Sequence, residues 1–163
     1  MHKKTLGRII WLPLLASCYF FFSGCGNDFI YEEKLPIPAD SWAYEDTLAF
    51  KFSITDTTKI YALLLDVTHS PEYGYQNLYV QIHTRYPNGK VEQQVLSLEL
   101  ANQAGIWNGQ CSGKSCTLEI PLLEKAVFRE TGNYSLTLEQ YMRESPIPGV
   151  KDMALKIKPI GMR

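Results

Sequence analysis

The sequence predicts an all-β fold, an antiparallel β-sandwich of about eight strands with an immunoglobulin-like or jelly-roll-like arrangement. Three observations carry this expectation. Apolar side chains recur with a period of two, as at Leu48, Phe50, Phe52 and Ile54, the repeat of a half-buried strand. Turn-forming residues separate such segments at short intervals. No window long enough for a helix carries an apolar stripe at helical spacing.

The chain begins differently. Met1–Arg8 is basic, with Lys3, Lys4 and Arg8, and Ile9–Phe22 is an apolar run ending in Phe22-Ser23-Gly24-Cys25. As a helix that run would be only about 21 Å long, against a hydrocarbon core of about 30 Å. It therefore reads as a secretory signal. Small residues leading into a cysteine have the form of a bacterial lipoprotein signal, in which the thiol is acylated and the chain is cut before it. Cys18, after Leu15-Ala16-Ser17, also fits locally, but its use would leave Tyr19-Phe20-Phe21-Phe22 on the mature end. Cys25 is the preferred lipid attachment site. Residues 1–24 are assigned to the signal, 25–40 to an acylated tether and 41–163 to the sandwich. Asn27–Pro38, with Phe29-Ile30-Tyr31 followed by Glu32, Glu33 and a stiff Pro36-Ile37-Pro38 step, reads as a tether with one possible short strand.

Beyond Trp42 the elements follow in order. Leu48–Ile54 alternates, Asp56-Thr57-Thr58 turns, and Ile60–Val67 is almost continuously apolar, as in a strand near the middle of a sheet. His69–Gln76 is a loop, and Leu78, Val80 and Ile82 alternate again. Pro87-Asn88-Gly89 between Tyr79–Tyr86 and Val91–Leu100 signals a hairpin, because Asn-Gly tolerates positive φ. A loop around Gly105 and Gly109 precedes Thr117–Ile120, Phe128, Tyr134–Tyr141 and Met153–Ile157. Glu130-Thr131-Gly132-Asn133-Tyr134 has the order of a tyrosine corner, which assigns Tyr134 to folding. Along the next strand Leu136, Leu138, Gln140 and Met142 share the inward row. Gln140 there needs a partner for its amide.

Of 163 residues, 16 are basic and 17 acidic. The signal takes three basic groups and no acid, leaving 13 against 17, a balance near −4. Nucleic-acid binding needs a basic face and is excluded. Cys111 and Cys116 are expected to form a small disulfide loop in an exported protein, with free thiols as the alternative. His69 and His83 lack metal-ligand spacing, so no metal is expected. Gly113-Lys114-Ser115 mimics a phosphate loop, but Asn108 stands where its first glycine belongs. No catalytic residues, cofactor or small-molecule substrate are expected. Tyr73, Tyr75 and Tyr79 lie in and after one loop, and Trp107 lies between two glycines; such aromatics could stack on a glycan or form a protein hot spot, or cap the core.

One resemblance spans nearly the whole mature chain. Ile30-Tyr31-Glu32-Glu33, Trp42, Ile54-Thr55-Asp56-Thr57, Tyr75-Gln76-Asn77-Leu78-Tyr79-Val80, Tyr86-Pro87-Asn88-Gly89, Gly105-Ile106-Trp107-Asn108-Gly109, Phe128, Thr131-Gly132-Asn133-Tyr134, Glu139-Gln140-Tyr141-Met142-Arg143 and Pro148-Gly149-Val150-Lys151-Asp152 occur in that order. This series resembles the gliding-motility lipoprotein GldH family of Bacteroidetes. The resemblance implies a non-enzymatic membrane lipoprotein working with envelope proteins of gliding and type IX secretion, most naturally at the outer membrane, its face left open. Members also occur in non-gliding species, so motility itself does not follow. The expected docking surface comprises Tyr75, Asn77, Trp107, Gln140 and Arg143. A glycan-binding lipoprotein using Tyr73, Tyr75 and Trp107 is the alternative.

Overall fold

The computed structural model describes residues 28–163; Cys18 and Cys25 lie outside the described residues. Its strands are β1 (Tyr31–Pro36), β2 (Ser41–Trp42), β3 (Leu48–Ile54), β4 (Lys59–His69), β5 (Asn77–Arg85), β6 (Val91–Glu99), β7 (Gln110–Ser112), β8 (Ser115–Ala126), β9 (Gly132–Gln140), β10 (Ile147–Pro148) and β11 (Val150–Met162). They form a five-stranded sheet in the order β1-β11-β4-β8-β7 and a four-stranded sheet in the order β3-β9-β5-β6, with β2 and β10 paired between loops. Neighbours are antiparallel throughout, and the sheets do not close into a barrel: the fold is an all-β sandwich.

The period-two rows define the core. From β3 come Leu48, Phe50, Phe52 and Ile54, from β9 Tyr134, Leu136 and Leu138, and from β4 Tyr61, Leu63, Leu65 and Val67. The continuous apolar run in β4 has a local cause. The strand lies between β11 and β8, and its other face is covered too, so Ala62 and Leu64 are also buried. On that outer face Lys156 reaches Asp66 at 2.6 Å and Glu119 at 3.3 Å, and Lys34 meets Asp152 at 3.1 Å.

The sheet starts earlier than the sequence expectation placed it. Tyr31–Pro36, assigned to the tether, pairs along its whole length with Asp152–Ile157 of β11. Pro36 is tolerated because β1 is an edge strand and Pro36 is its last residue.

Two turns form as their residues require. The hairpin between β5 and β6 is a three-residue loop, in which the Gly89 amide donates to the Tyr86 carbonyl and the Tyr86 amide to the Lys90 carbonyl, both at 2.9 Å. Gly89 alone takes positive φ there, at 86°, and Asn88 stays on the ordinary side. This is a turn followed by a bulge glycine rather than a two-residue Asn-Gly turn. At the tyrosine corner the Tyr134 hydroxyl donates to the Glu130 carbonyl at 2.7 Å. Its ring stacks on Phe52 and meets Phe128 and Tyr86 edge-on. The hairpin docks on this corner, with Pro87 against Gly132 and the Asn88 amide donating to Glu130 at 3.1 Å.

Candidate functional site

The loops joining β4 to β5, β6 to β7 and β9 to β10 meet at the end of the sandwich opposite the tyrosine corner. An aromatic column stands beneath them. The rings of His69 and Trp107 lie 4.4 Å apart, His69 and Tyr73 5.8 Å, and Tyr73 and Tyr75 5.7 Å. His69 closes β4 on the core side and is fully buried. Its Nδ1–H donates to the Ser70 carbonyl at 2.8 Å, while Nε2 has no hydrogen-bond partner among the described residues. Burial holds the ring below its ordinary pKa, opposed in part by the Ser70 carbonyl.

The segment carrying Trp107 is built tightly. Asn102 Oδ1 accepts from the amides of Ala104 and Ile106, Asn108 Nδ2 donates to the Glu99 carbonyl, and the Gln76 carbonyl accepts from Leu100 and Ala101. Gly109 is required: a Cβ there would lie 2.4 Å from the Thr117 carbonyl oxygen. At its end Cys111 and Cys116 face each other across β7 and β8 and are joined by a disulfide, Cα to Cα 3.9 Å. Gly113 and Lys114 form the hairpin turn between those strands, and Lys114 uses its carbonyl to accept from Lys151 at 2.6 Å. The resemblance to a phosphate loop ends there.

The third segment, Tyr141–Pro146, hangs on Gln140. This side chain is 3% exposed. Its Oε1 accepts from the Met142 amide at 2.9 Å and its Nε2 donates to the Glu144 carbonyl at 3.1 Å. Both halves of the amide are thus satisfied by one loop. Tyrosines surround that loop. Tyr44 donates to the Met142 carbonyl at 3.0 Å, Tyr75 to the Glu144 carboxylate at 2.5 Å, and the Met142 sulfur sits 3.3 Å from the Tyr79 amide. The Tyr141 amide donates to the Tyr79 carbonyl at 2.8 Å. Tyr44, Tyr75, Tyr79 and Tyr141 all expose substantial ring surface. The bond to Glu144, ahead of burial, raises the Tyr75 pKa and keeps the phenol protonated. Arg143 is exposed, and no hydrogen bond or ion pair holds it among the described residues.

The five expected docking residues therefore converge on one end but divide by role. Tyr75 and Arg143 reach solvent. Gln140 is a brace, Trp107 is half-buried against His69 and Tyr73, and Asn77 is half-buried and donates to Ser97 at 2.9 Å. The expected glycan platform does not form as three exposed rings, because Tyr73 is 5% exposed, its hydroxyl donating to the Asn77 carbonyl at 3.1 Å. Tyr79 is one of the aromatics the sequence offers as a hot spot or stacking ring, and it is exposed. Tyr44, Tyr141 and Glu144 were not legible as site residues, although Tyr141 is an aromatic on the outward parity of an alternating segment.

Away from these loops a concavity of about 780 Å³ opens between β6 and β8 and is lined by Ile82, Thr84, Glu92, Gln94, Leu122 and Phe128. Its Glu92 is already engaged by Lys90 at 2.6 Å and Tyr86 at 2.7 Å. Among the described residues no group of histidine, cysteine and carboxylate side chains could hold a metal ion, and no helix is long and apolar enough to cross a membrane.

Comparison with known proteins matches residues 29–157 to the family described as GldH lipoprotein. The chain is 27% identical over 144 residues to the gliding motility lipoprotein GldH homolog of Christiangramia forsetii, covering 84% of this chain and 88% of that one. It is also 27% identical over 139 residues to the gliding motility lipoprotein GldH of Flavobacterium johnsoniae, covering 85% of each. Among solved structures, a family GH115 4-O-methyl-alpha-glucuronidase aligns with a TM-score of 0.44 and 9% identity over 82% of this chain. That alignment takes in 18% of the enzyme and carries no functional argument.

Proposed function

The chain belongs to the GldH lipoprotein family, and from that premise we propose that it is a non-catalytic, lipid-anchored subunit of the gliding-motility and type IX secretion apparatus. Acylated Cys25 holds it in the cell envelope, at the outer membrane. Several acyl chains, at about 0.8 kcal/mol per buried methylene, make such attachment persistent. The sandwich then works by docking on other envelope proteins through the end described above.

The observation that carries the docking reading is the ring of Tyr44, Tyr75, Tyr79 and Tyr141 around the Gln140-braced loop, with Arg143 at its tip. Tyrosine and arginine are the side chains enriched where binding energy concentrates. A loop already held by buried hydrogen bonds also loses less entropy on binding. The test is co-purification with other proteins of the apparatus, identified by mass spectrometry. With Tyr75→Ala and Arg143→Ala combined, that association should be lost while the circular dichroism spectrum is unchanged. Intact association in a folded variant refutes the surface. In a deletion strain, type IX–dependent proteins should fail to reach the medium, with rescue by the wild-type gene and not by Cys25→Ser.

A further inference from the structure

The described N-terminal segment runs away from the tyrosine-rich loops. β11 runs the length of the molecule, about 40 Å at about 3.3 Å per residue. Its first residue, Val150, pairs with His69 beneath the docking loops, and Met162 pairs with Lys59 at the other end. The N-terminal segment enters toward that second end: Tyr31 pairs with Ile157, and the Ile30 amide donates to the Ile157 carbonyl at 2.8 Å. From Asp28 back to Cys25 is three residues, at most about 10 Å of extended chain. The lipid cannot reach the level of Tyr75.

Around the point where the chain leaves, apolar side chains face outward. Ile30 is 48% exposed, Ile160 46% and Met162 68%. Phe29 turns onto the outer face of the five-stranded sheet, with the Lys156 and Lys158 ammonium groups each 5.7 Å from its ring centre, and Arg163 follows Met162, its amide fixed to the Thr58 carbonyl at 2.7 Å. Apolar side chains with cations beside them suit the interface of a bilayer, where the former enter the headgroup boundary and the latter meet lipid phosphates.

We propose that the far end of β11, with Ile160 and Met162 at its tip and Ile30 alongside it level with Lys158, rests on the bilayer that holds the Cys25 lipid and fixes the sandwich upright, Met162 standing about 40 Å from the Val150 end of the strand. The proposal rests on acylation at Cys25. It accounts for exposed aliphatic side chains beside an anchor too short to let the domain roam. It also means that partners are met at a set height above the membrane.

The test uses the full lipidated chain in vesicles of phosphatidylethanolamine and phosphatidylglycerol, with a nitroxide attached at Met162→Cys, at Ile30→Cys or at Tyr75→Cys. The native disulfide and acylated Cys25 leave no competing thiol in the mature chain. Power saturation should give labels at 162 and 30 a several-fold higher ratio of oxygen to water-soluble nickel accessibility than the label at 75. Two independent positions at the membrane end guard against one variant failing to fold. Equal, aqueous accessibility at all three positions in protein that floats with the vesicles overturns the orientation and leaves the anchor standing. Protein that does not float overturns the anchor, and the orientation with it.

Discussion

Replacing Gln140 by Met separates the brace from the volume it fills. The two side chains have similar length and size, so the core row of Leu136 and Leu138 keeps its packing. What is lost is the acceptor for the Met142 amide and the donor to the Glu144 carbonyl. Each hydrogen bond contributes about 1 kcal/mol net, and a buried group left unpaired costs about 1–3 kcal/mol. The loop can relieve part of that by swinging into water, so the expected loss of stability is about 2–4 kcal/mol. Urea denaturation measures it, and hydrogen exchange at the Met142 amide should accelerate well beyond that of the β9 interior. Gln140→Glu should destabilise at neutral pH and recover partly in acid, because a protonated carboxyl can again donate to the Glu144 carbonyl. A loss below about 0.5 kcal/mol with Met142 protection unchanged would refute the idea that Gln140 holds the docking loop.

Three further predictions concern the frame. Gly132 has φ of 134°, and a Cβ there would sit 3.0 Å from the Pro87 Cβ, so Gly132→Ala should cost about 1–3 kcal/mol in urea melts. Gly89→Ala, with φ of 86° and nothing within 4 Å, should cost less, so the reverse order would contradict the packing of hairpin on corner. The folded-state pKa of His69 lies below its unfolded value of about 6.5, so the unfolded chain takes up the proton first and stability falls as pH drops through and below that value. His69→Asn should flatten that acid slope in melting temperature measured against pH, and an unchanged slope would argue against a neutral buried ring. Reducing the disulfide, or Cys111→Ser, should cost about 2 kcal/mol at most for so short a loop, with the sandwich still folded by circular dichroism.

Much of this protein is local information. Whether a residue faces in or out follows from parity along a strand, which is why Leu48–Ile54 and the row ending in Gln140 could be read directly. The hairpin at Pro87-Asn88-Gly89 and the corner at Tyr134 are likewise set by residues a few positions apart. The family membership, too, was legible from ordered short motifs.

Tertiary structure decided the rest, because parity names a face and not a partner. Apart from the β5–β6 and β7–β8 hairpins and the small β10 pairing, the strands from β3 onward pass between the two sheets, so sequence neighbours seldom pair. Lys59 opposite Met162, and Tyr31 opposite Ile157, are fixed only by closing the whole chain. The same closure buries Tyr73 and half-buries Trp107 while leaving Tyr44, Tyr79 and Tyr141 at the surface around one loop. It also fixes the course of β1, from Pro36 opposite Asp152 to Tyr31 opposite Ile157. Composition and spacing determined what kind of molecule this is; where its aromatics stand relative to one another depended on contacts made across the length of the described chain.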